Sequence, residues 1–194
     1  MNDKTFRLGP SVAVLALLFV CAPCPAGQAQ ADERTMSREE ELSKLTAIVR
    51  DAPLQASDPD RVVQAIERLG EINAVEAVDD LAGLLTFRKW LPWEKDPNKL
   101  KDDIHPISDR DRFPAIRALI MIGPPSLPAL IRVIEAHEPD SLETRHAMEA
   151  IISLSRYERP GYVKKLKDAA ARVSTPEAAQ RLLKAAEALK DSKR

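Results

Sequence analysis

Cysteine is almost absent from this chain of 194 residues, and its two cysteines, Cys21 and Cys24, both lie near the start. They fall in a segment with a basic beginning, an apolar run at 11–22 and a small-residue exit ending at Ala31, the pattern of a secretory signal peptide. The apolar run is shorter than the roughly 20 residues that span a bilayer. We predict that residues 1–31 are a cleaved signal peptide and that the protein is periplasmic or extracellular.

A chain that begins at Asp32 has no cysteine, which excludes a disulfide, a thiol nucleophile and a cysteine-ligated metal. Lipoprotein processing is disfavoured because neither cysteine follows a small residue: Val20 precedes the first and Pro23 the second. An uncut N-terminal membrane anchor remains the alternative to cleavage, so membrane association is possible but not predicted.

Glycine is also scarce, with six residues in all, and the sequence has no glycine-rich phosphate loop. The segment "GPPS" at 123–126 lacks the second glycine of a nucleophile elbow. The three histidines, His105, His137 and His146, show no i, i+3 or i, i+4 metal-ligand spacing. His137 is interpreted as the residue at a helix end, where the dipole favours it. Catalytic residues, cofactors and metals are therefore not predicted.

The sequence has no excess of one charge. Without the leader, 27 basic residues stand against 29 acidic ones, which argues against nucleic-acid binding. The distribution is uneven, because residues 159–194 hold ten Lys or Arg and four Asp or Glu. We interpret this segment as a solvated helix face; docking to an acidic partner or an anionic membrane surface is the alternative.

Helical repeats are what the sequence does contain. Three octets align, "AIERLGEI" at 65–72, "AIRALIMI" at 115–122 and "AMEAIISL" at 147–154, and "AQRLLKAA" at 179–186 follows the frame more loosely. Alanine comes first, an aliphatic residue fifth and an apolar residue eighth, so all three positions lie on one helix stripe. Among the first three octets, Leu69, Leu119 and Ile151 are therefore predicted to be equivalent core positions.

Each of the first three octets is followed by a second apolar run, at 74–85, 123–136 and 159–173. Prolines mark helix starts, and Asp58 and Thr175 precede two of them as predicted N-caps. No strand is predicted. We expect an all-α fold, a short α-solenoid of stacked antiparallel helix pairs with lone helices at both ends. Its predicted parts are an N-terminal capping helix in 32–57, a repeat domain at 58–190 with an insertion at 87–111, and a polar tail at 191–194.

The segments "RVVQAIERLGEINAVEAVDDLAGLL" at 61–85 and "RFPAIRALIMIGPPSLPALIRVIE" at 112–135 resemble the short bacterial HEAT-like repeats of the phycobilisome-lyase type. A leading Arg, an Ala-x-x-x-Leu core, an Ile at the turn and paired aliphatics at the end carry the resemblance. It implies stacked helical hairpins and no particular reaction. The family pattern has Gly after the turn Ile; Gly123 matches it, whereas Asn73 replaces it in the first unit.

The insertion holds both tryptophans, in "TFRKWLPWEK" at 86–95. A long connection of this kind is usually functional or locally folded. One interpretation has the aromatic residues fold back over the ridge between helix pairs; the other leaves some of them accessible to a partner. On the second interpretation, the candidate partner-binding residues are Phe87, Arg88, Lys89, Trp90, Trp93 and Lys95.

The adjoining loop 102–111 is rich in Asp and His and offers an alternative site for a cation. Its candidate ligands are Asp102, Asp103, His105, Asp109 and Asp111. The echo between "SDRDR" at 108–112 and "SDPDR" at 57–61 favours helix capping for the last two. The sequence thus predicts an exported repeat protein that binds or scaffolds a protein or peptide in the cell envelope. An enzyme, or a metal- or ligand-binding accessory protein using this loop, is the alternative.

Overall fold

The helical character predicted from the repeats is confirmed in a computed structural model that describes residues 37–90, 108–156 and 158–192. Within these ranges no strand is present. Two turns of 3₁₀-helix, Val75–Ala77 and Pro124–Ser126, lead into the fourth and seventh α-helices. The α-helices are α1 (Arg38–Arg50), α2 (Ala52–Ser57), α3 (Pro59–Glu71), α4 (Val78–Gly83), α5 (Asp109–Arg112), α6 (Pro114–Ile122), α7 (Leu127–Ala136), α8 (Leu142–Leu154), α9 (Arg159–Ala170) and α10 (Pro176–Asp191).

Side-chain caps explain where several helices begin. At α1, Ser37 accepts a hydrogen bond from the amide of Glu40, whose carboxylate accepts one from the amide of Ser37, which completes a capping box. At α3, Asp58 accepts from the amide of Arg61 at 3.2 Å, as predicted. Thr175 is the N-cap residue of α10, but its side chain makes no capping hydrogen bond.

The fifth position of the first three octets lies in the core, as predicted. Leu69, Leu119 and Ile151 are fully buried, and so are the alanines that open their octets. The fourth octet differs, because its fifth residue, Leu183, is 46% exposed. In α10 the buried stripe is instead formed by Ala178, Leu182, Ala185, Ala186 and Leu189. The stripe starts one residue earlier than the octet frame requires.

Several helices pack on helices two or three places away in the chain order. Helix α3 packs on α6, α6 on α8, and α4 on α7, while α1 packs on α3. The contact between α3 and α6 is close: a Cβ atom added to Gly70 would lie 2.8 Å from the Cα of Ala118. Glycine at this position therefore sets how near the two helices can approach.

The last helix, predicted to stand alone, has α9 as its main packing partner. Arg159 at the start of α9 donates a hydrogen bond to the carbonyl of Ser192 just beyond the end of α10. Farther along, the ammonium of Lys167 lies 3.7 Å from the carboxylate of Glu187. These contacts join the two helices in an antiparallel hairpin.

Two chain reversals carry backbone in the positive-φ region. Asn73, between α3 and α4, has φ 50°, and Gly123, between α6 and α7, has φ 85°. Asparagine tolerates positive φ better than most residues with a side chain, so Asn73 can keep a positive φ at the position where the second unit has Gly123.

No single helix in the described ranges is long and apolar enough to span a membrane. Helix α6, taken together with the segment Pro124–Ala136, passes the same length and composition test, but the two are bent by 116°. Both are rich in side chains buried within the protein, which accounts for their apolar composition.

Candidate binding surfaces

Four of the six predicted partner-binding residues lie in the described chain, just after α4. Phe87 is half-buried and packs against the core, and the ammonium of Lys89 pairs with Glu67 of α3 at 2.9 Å. Trp90 is 49% exposed, and the guanidinium carbon of Arg88 lies 4.9 Å from the centre of its ring. Trp93 and Lys95 lie outside the described residues. Fold-back packing therefore describes Phe87, whereas Trp90 presents an exposed aromatic face.

His146 of α8 fixes the start of this segment. Its Nδ1 donates a 2.7 Å hydrogen bond to the carbonyl of Leu85, and its ring lies 4.1 Å from that of Phe113. The amide of Lys89 donates at 2.8 Å to the carbonyl of Arg112. This role was missed in the sequence, where only metal-ligand spacing was considered. A buried histidine that donates a hydrogen bond to a carbonyl far away in the chain has no local sequence signature.

The described part of the Asp/His-rich loop provides fewer candidate metal ligands than the composition of the loop suggests. Asp102, Asp103 and His105 lie outside the described residues. Asp109 and Asp111 were predicted to cap a helix, but the N-cap is Ser108, and both aspartates lie in the first turn of α5. Asp111 accepts a 2.7 Å hydrogen bond from the hydroxyl of Ser108. Across the described ranges no group of three or more His, Asp or Glu side chains could hold a metal ion.

A surface that the sequence analysis did not single out lies between α7 and α9. It is a groove of about 400 Å³ with Leu127, Ile131, Ala169 and Val173 among its apolar residues. Along α7 it extends from Leu127 to Glu135, about 12 Å at the helical rise of ~1.5 Å per residue. On the opposite side it is lined by residues 165, 168 and 169 of α9 and by residues 172 and 173, which follow the end of that helix. The groove is thus about two helical turns long, with apolar residues from both helices.

A second groove, of about 330 Å³, lies between α4 and α7. It includes Asp79, Ala82 and Gly83 of α4 together with Ala129 and Arg132 of α7. Arg132 lines both grooves and forms an ion pair with Asp79. The second helices of the predicted repeat units, α4, α7 and α9, therefore line two successive grooves that share one arginine.

The charges around the α7–α9 groove are only partly neutralised inside the protein. Asp168 accepts a 2.6 Å hydrogen bond from Lys164. Lys165 places its ammonium 5.0 Å from the ring centre of Tyr162. Burial raises the pKa of the Tyr162 hydroxyl, and the charge of Glu158 adds a smaller increase. These contacts leave cationic and apolar groups side by side along α9.

The α7 wall of the groove is held from behind by α10. Arg181 donates a hydrogen bond to the carbonyl of Glu135, in the last turn of α7, and a second one of 3.4 Å to the carboxylate of Glu138. An arginine at the C-terminal end of a helix is also favoured by the helix dipole. The end of α7 is therefore fixed by side-chain contacts independent of anything in the groove.

Comparison of the chain with protein-family models, with curated proteins and with solved structures finds no match. A function is therefore argued from the surfaces themselves. The periodicity of 123–136 and 159–173 predicted both helices that line the larger groove. It did not predict that they would leave a groove between them, because that depends on how far apart the helices pack.

Proposed function

We propose that this protein is an exported HEAT-like repeat protein that binds or scaffolds a protein or peptide partner in the cell envelope. The signal-peptide pattern of residues 1–31 supports export, and the three octets support a short α-solenoid. The observation that carries the binding role is the pair of successive grooves along α4, α7 and α9. Apolar grooves between helices are a common mode of peptide recognition.

We propose that the partner binds in the α7–α9 groove rather than at Trp90 alone. The groove offers several apolar side chains together, whereas Trp90 has a single exposed ring beside Arg88. Aromatic anchors are nevertheless enriched among residues that dominate binding energy. Trp90 is therefore kept as a second contact of the same protein, to be tested by the same experiment.

The test is affinity capture from the native cell envelope with matched variants of the purified protein. Ile131→Arg places a charge on the floor of the α7–α9 groove, and Leu183→Arg places the same charge on the exposed side of α10. We expect the first variant to lose the captured protein and the second to retain it. A third variant, Trp90→Ala, reports on the aromatic surface.

Thermal unfolding followed by circular dichroism verifies that each variant remains folded. Retention of the partner by a folded Ile131→Arg variant, with loss in Trp90→Ala, would move the binding surface to the segment after α4. Intact mass of the exported protein tests the compartment, with Asp32 expected as the first residue.

A further inference from the structure

We infer that the α7–α9 groove binds an acidic amphipathic segment of a protein partner, one whose apolar stripe is flanked by Asp or Glu. This inference rests on the proposed binding function and specifies the chemistry of the occupant. The groove is about two helical turns long and is bounded by two helices, so its apolar residues can receive side chains spaced i, i+3 or i+4 along a third helix.

The charged residues that line the groove determine which charge its occupant should carry. Two of the five charged residues are already compensated, because Arg132 pairs with Asp79 and Asp168 with Lys164. The others are Lys165 on α9, Arg172 in the turn after α9, and Glu135 on α7. Two cationic groups thus face one anionic group across the groove.

The surroundings of the groove strengthen this excess. The guanidinium of Arg181 bonds to the carbonyl of Glu135 on the α7 side, where the carboxylate of Glu138 compensates its charge. Residues 159–194 as a whole hold ten basic and four acidic residues. The positive charge around the groove would repel a segment with Lys or Arg beside its apolar stripe. It would attract a segment with Asp or Glu there.

Arg172 is the residue best placed to recognise the acidic group. It lies next to the apolar Val173 in the turn that follows α9, and its side chain is exposed. A guanidinium forms bidentate hydrogen bonds with a carboxylate, which gives a geometric preference in addition to the charge. Replacing it by Glu should therefore reverse the preference of the groove without removing its apolar floor.

The experiment is a selection from a displayed library of helical peptides with apolar residues fixed at i, i+3, i+4 and i+7 and all other positions random. We expect the purified protein to enrich peptides with Asp or Glu beside the apolar stripe. The leading peptide, labelled for fluorescence anisotropy, should bind Arg172→Glu at least ~10-fold more weakly, a change of about 1.4 kcal/mol. Its affinity should also fall as salt is added.

The matched control is Lys184→Glu, which makes the same change of charge on the exposed side of α10, outside the α7–α9 groove. It should bind the leading peptide within about twofold of the wild type, a difference of roughly 0.4 kcal/mol. An equal loss in both variants would mean that net charge alone drives binding, and the assignment to this groove would be wrong.

The remaining outcomes separate this inference from the function on which it rests. Enrichment of peptides without acidic residues, with binding lost in Ile131→Arg, would leave the groove as a peptide site but overturn its acidic preference. If no peptide is enriched while envelope capture fails in Ile131→Arg, the occupant is not an amphipathic helix. Failure of both experiments would remove the groove from the function altogether. Stronger binding to phosphatidylglycerol vesicles than to any peptide, abolished in Arg172→Glu, would identify a lipid surface as the occupant instead.

Discussion

Helices α6 and α10 both carry a leucine at the fifth position of a similar octet, yet Leu119 is fully buried and Leu183 is almost half exposed. Helix α6 lies between α3 and α8 and has packed neighbours along both, whereas α10 packs chiefly along α9 and α7. A shift of the buried stripe by one residue turns a helix by about 100° about its axis. The packing partners of α10, rather than its octet, therefore decide which side of the helix is buried.

The largest effect that follows from this comparison concerns the two leucines. Leu119→Ala should lower the free energy of unfolding by about 2–5 kcal/mol, because it leaves a cavity among buried side chains. Leu183→Ala removes the same atoms from an exposed position and should change it by less than about 0.5 kcal/mol. Urea denaturation of both variants measures the difference. Equal losses would show that the exposed side of α10 is covered in solution.

The next effect tests the close contact between α3 and α6. Gly70→Ala would bring a methyl group within 2.8 Å of backbone in α6, so the helices must move apart, at a cost of about 1–3 kcal/mol. Gly83→Ala is the control, because a methyl group there meets nothing within 4 Å. In a helix this second change should be neutral or stabilising by up to roughly 1 kcal/mol. A stable Gly70→Ala variant would mean that the two helices can separate without loss of packing.

The turns of the first two predicted repeat units allow a further comparison. Gly123 has φ 85° and ψ −146°, a conformation that only glycine adopts without strain, so Gly123→Ala should cost about 1–3 kcal/mol. Asn73→Gly keeps the positive φ accessible and should stay within about 0.5 kcal/mol of the wild type. The melting temperature should therefore fall more in Gly123→Ala than in Asn73→Gly. The reverse order would contradict the requirement for glycine at position 123.

The smallest effect appears only at alkaline pH and concerns α9. The folded chain holds the Tyr162 hydroxyl in its neutral form, so its pKa is higher in the folded than in the unfolded state. Stability from this group is present below the unfolded value of about 10 and is lost as the pH rises through the folded value. Tyr162→Phe should therefore lose less stability between about pH 9 and 11 than the wild type does, as measured by thermal unfolding. An equal loss of stability in Tyr162→Phe and the wild type would show that other groups cause the alkaline transition.

Structural features that depend on neighbouring residues could be predicted from the sequence. Period, alanine positions and proline starts are properties of neighbouring residues, and they placed Leu69, Leu119 and Ile151 in the core. The capping box at Ser37 is likewise a contact between residues only three positions apart. Asp109 was assigned to a cap by analogy with Asp58, but the helix begins one residue earlier and Ser108 takes that position.

The site was less predictable than the fold, because it depends on the distance between elements. The composition of this segment does not predict that the ring of Trp90 is exposed. It also does not predict that Lys89 pairs with Glu67. The α7–α9 groove joins residues about forty positions apart. No role was predicted for His146, whose hydrogen-bond partner is a carbonyl 61 positions away in the chain.

The approach of Gly70 to Ala118 makes the order of the repeat units matter. In the octet frame the sixth residue is Gly70 in the first unit and Ile120 in the second, whereas the fourth residue of the second unit is Ala118. A side chain as large as that of Ile120 at the position of Gly70 would not fit against Ala118. The pairing of α3 with α6 therefore depends on a glycine that the second octet lacks, so α6 could not simply replace α3 in a rearranged version of this protein.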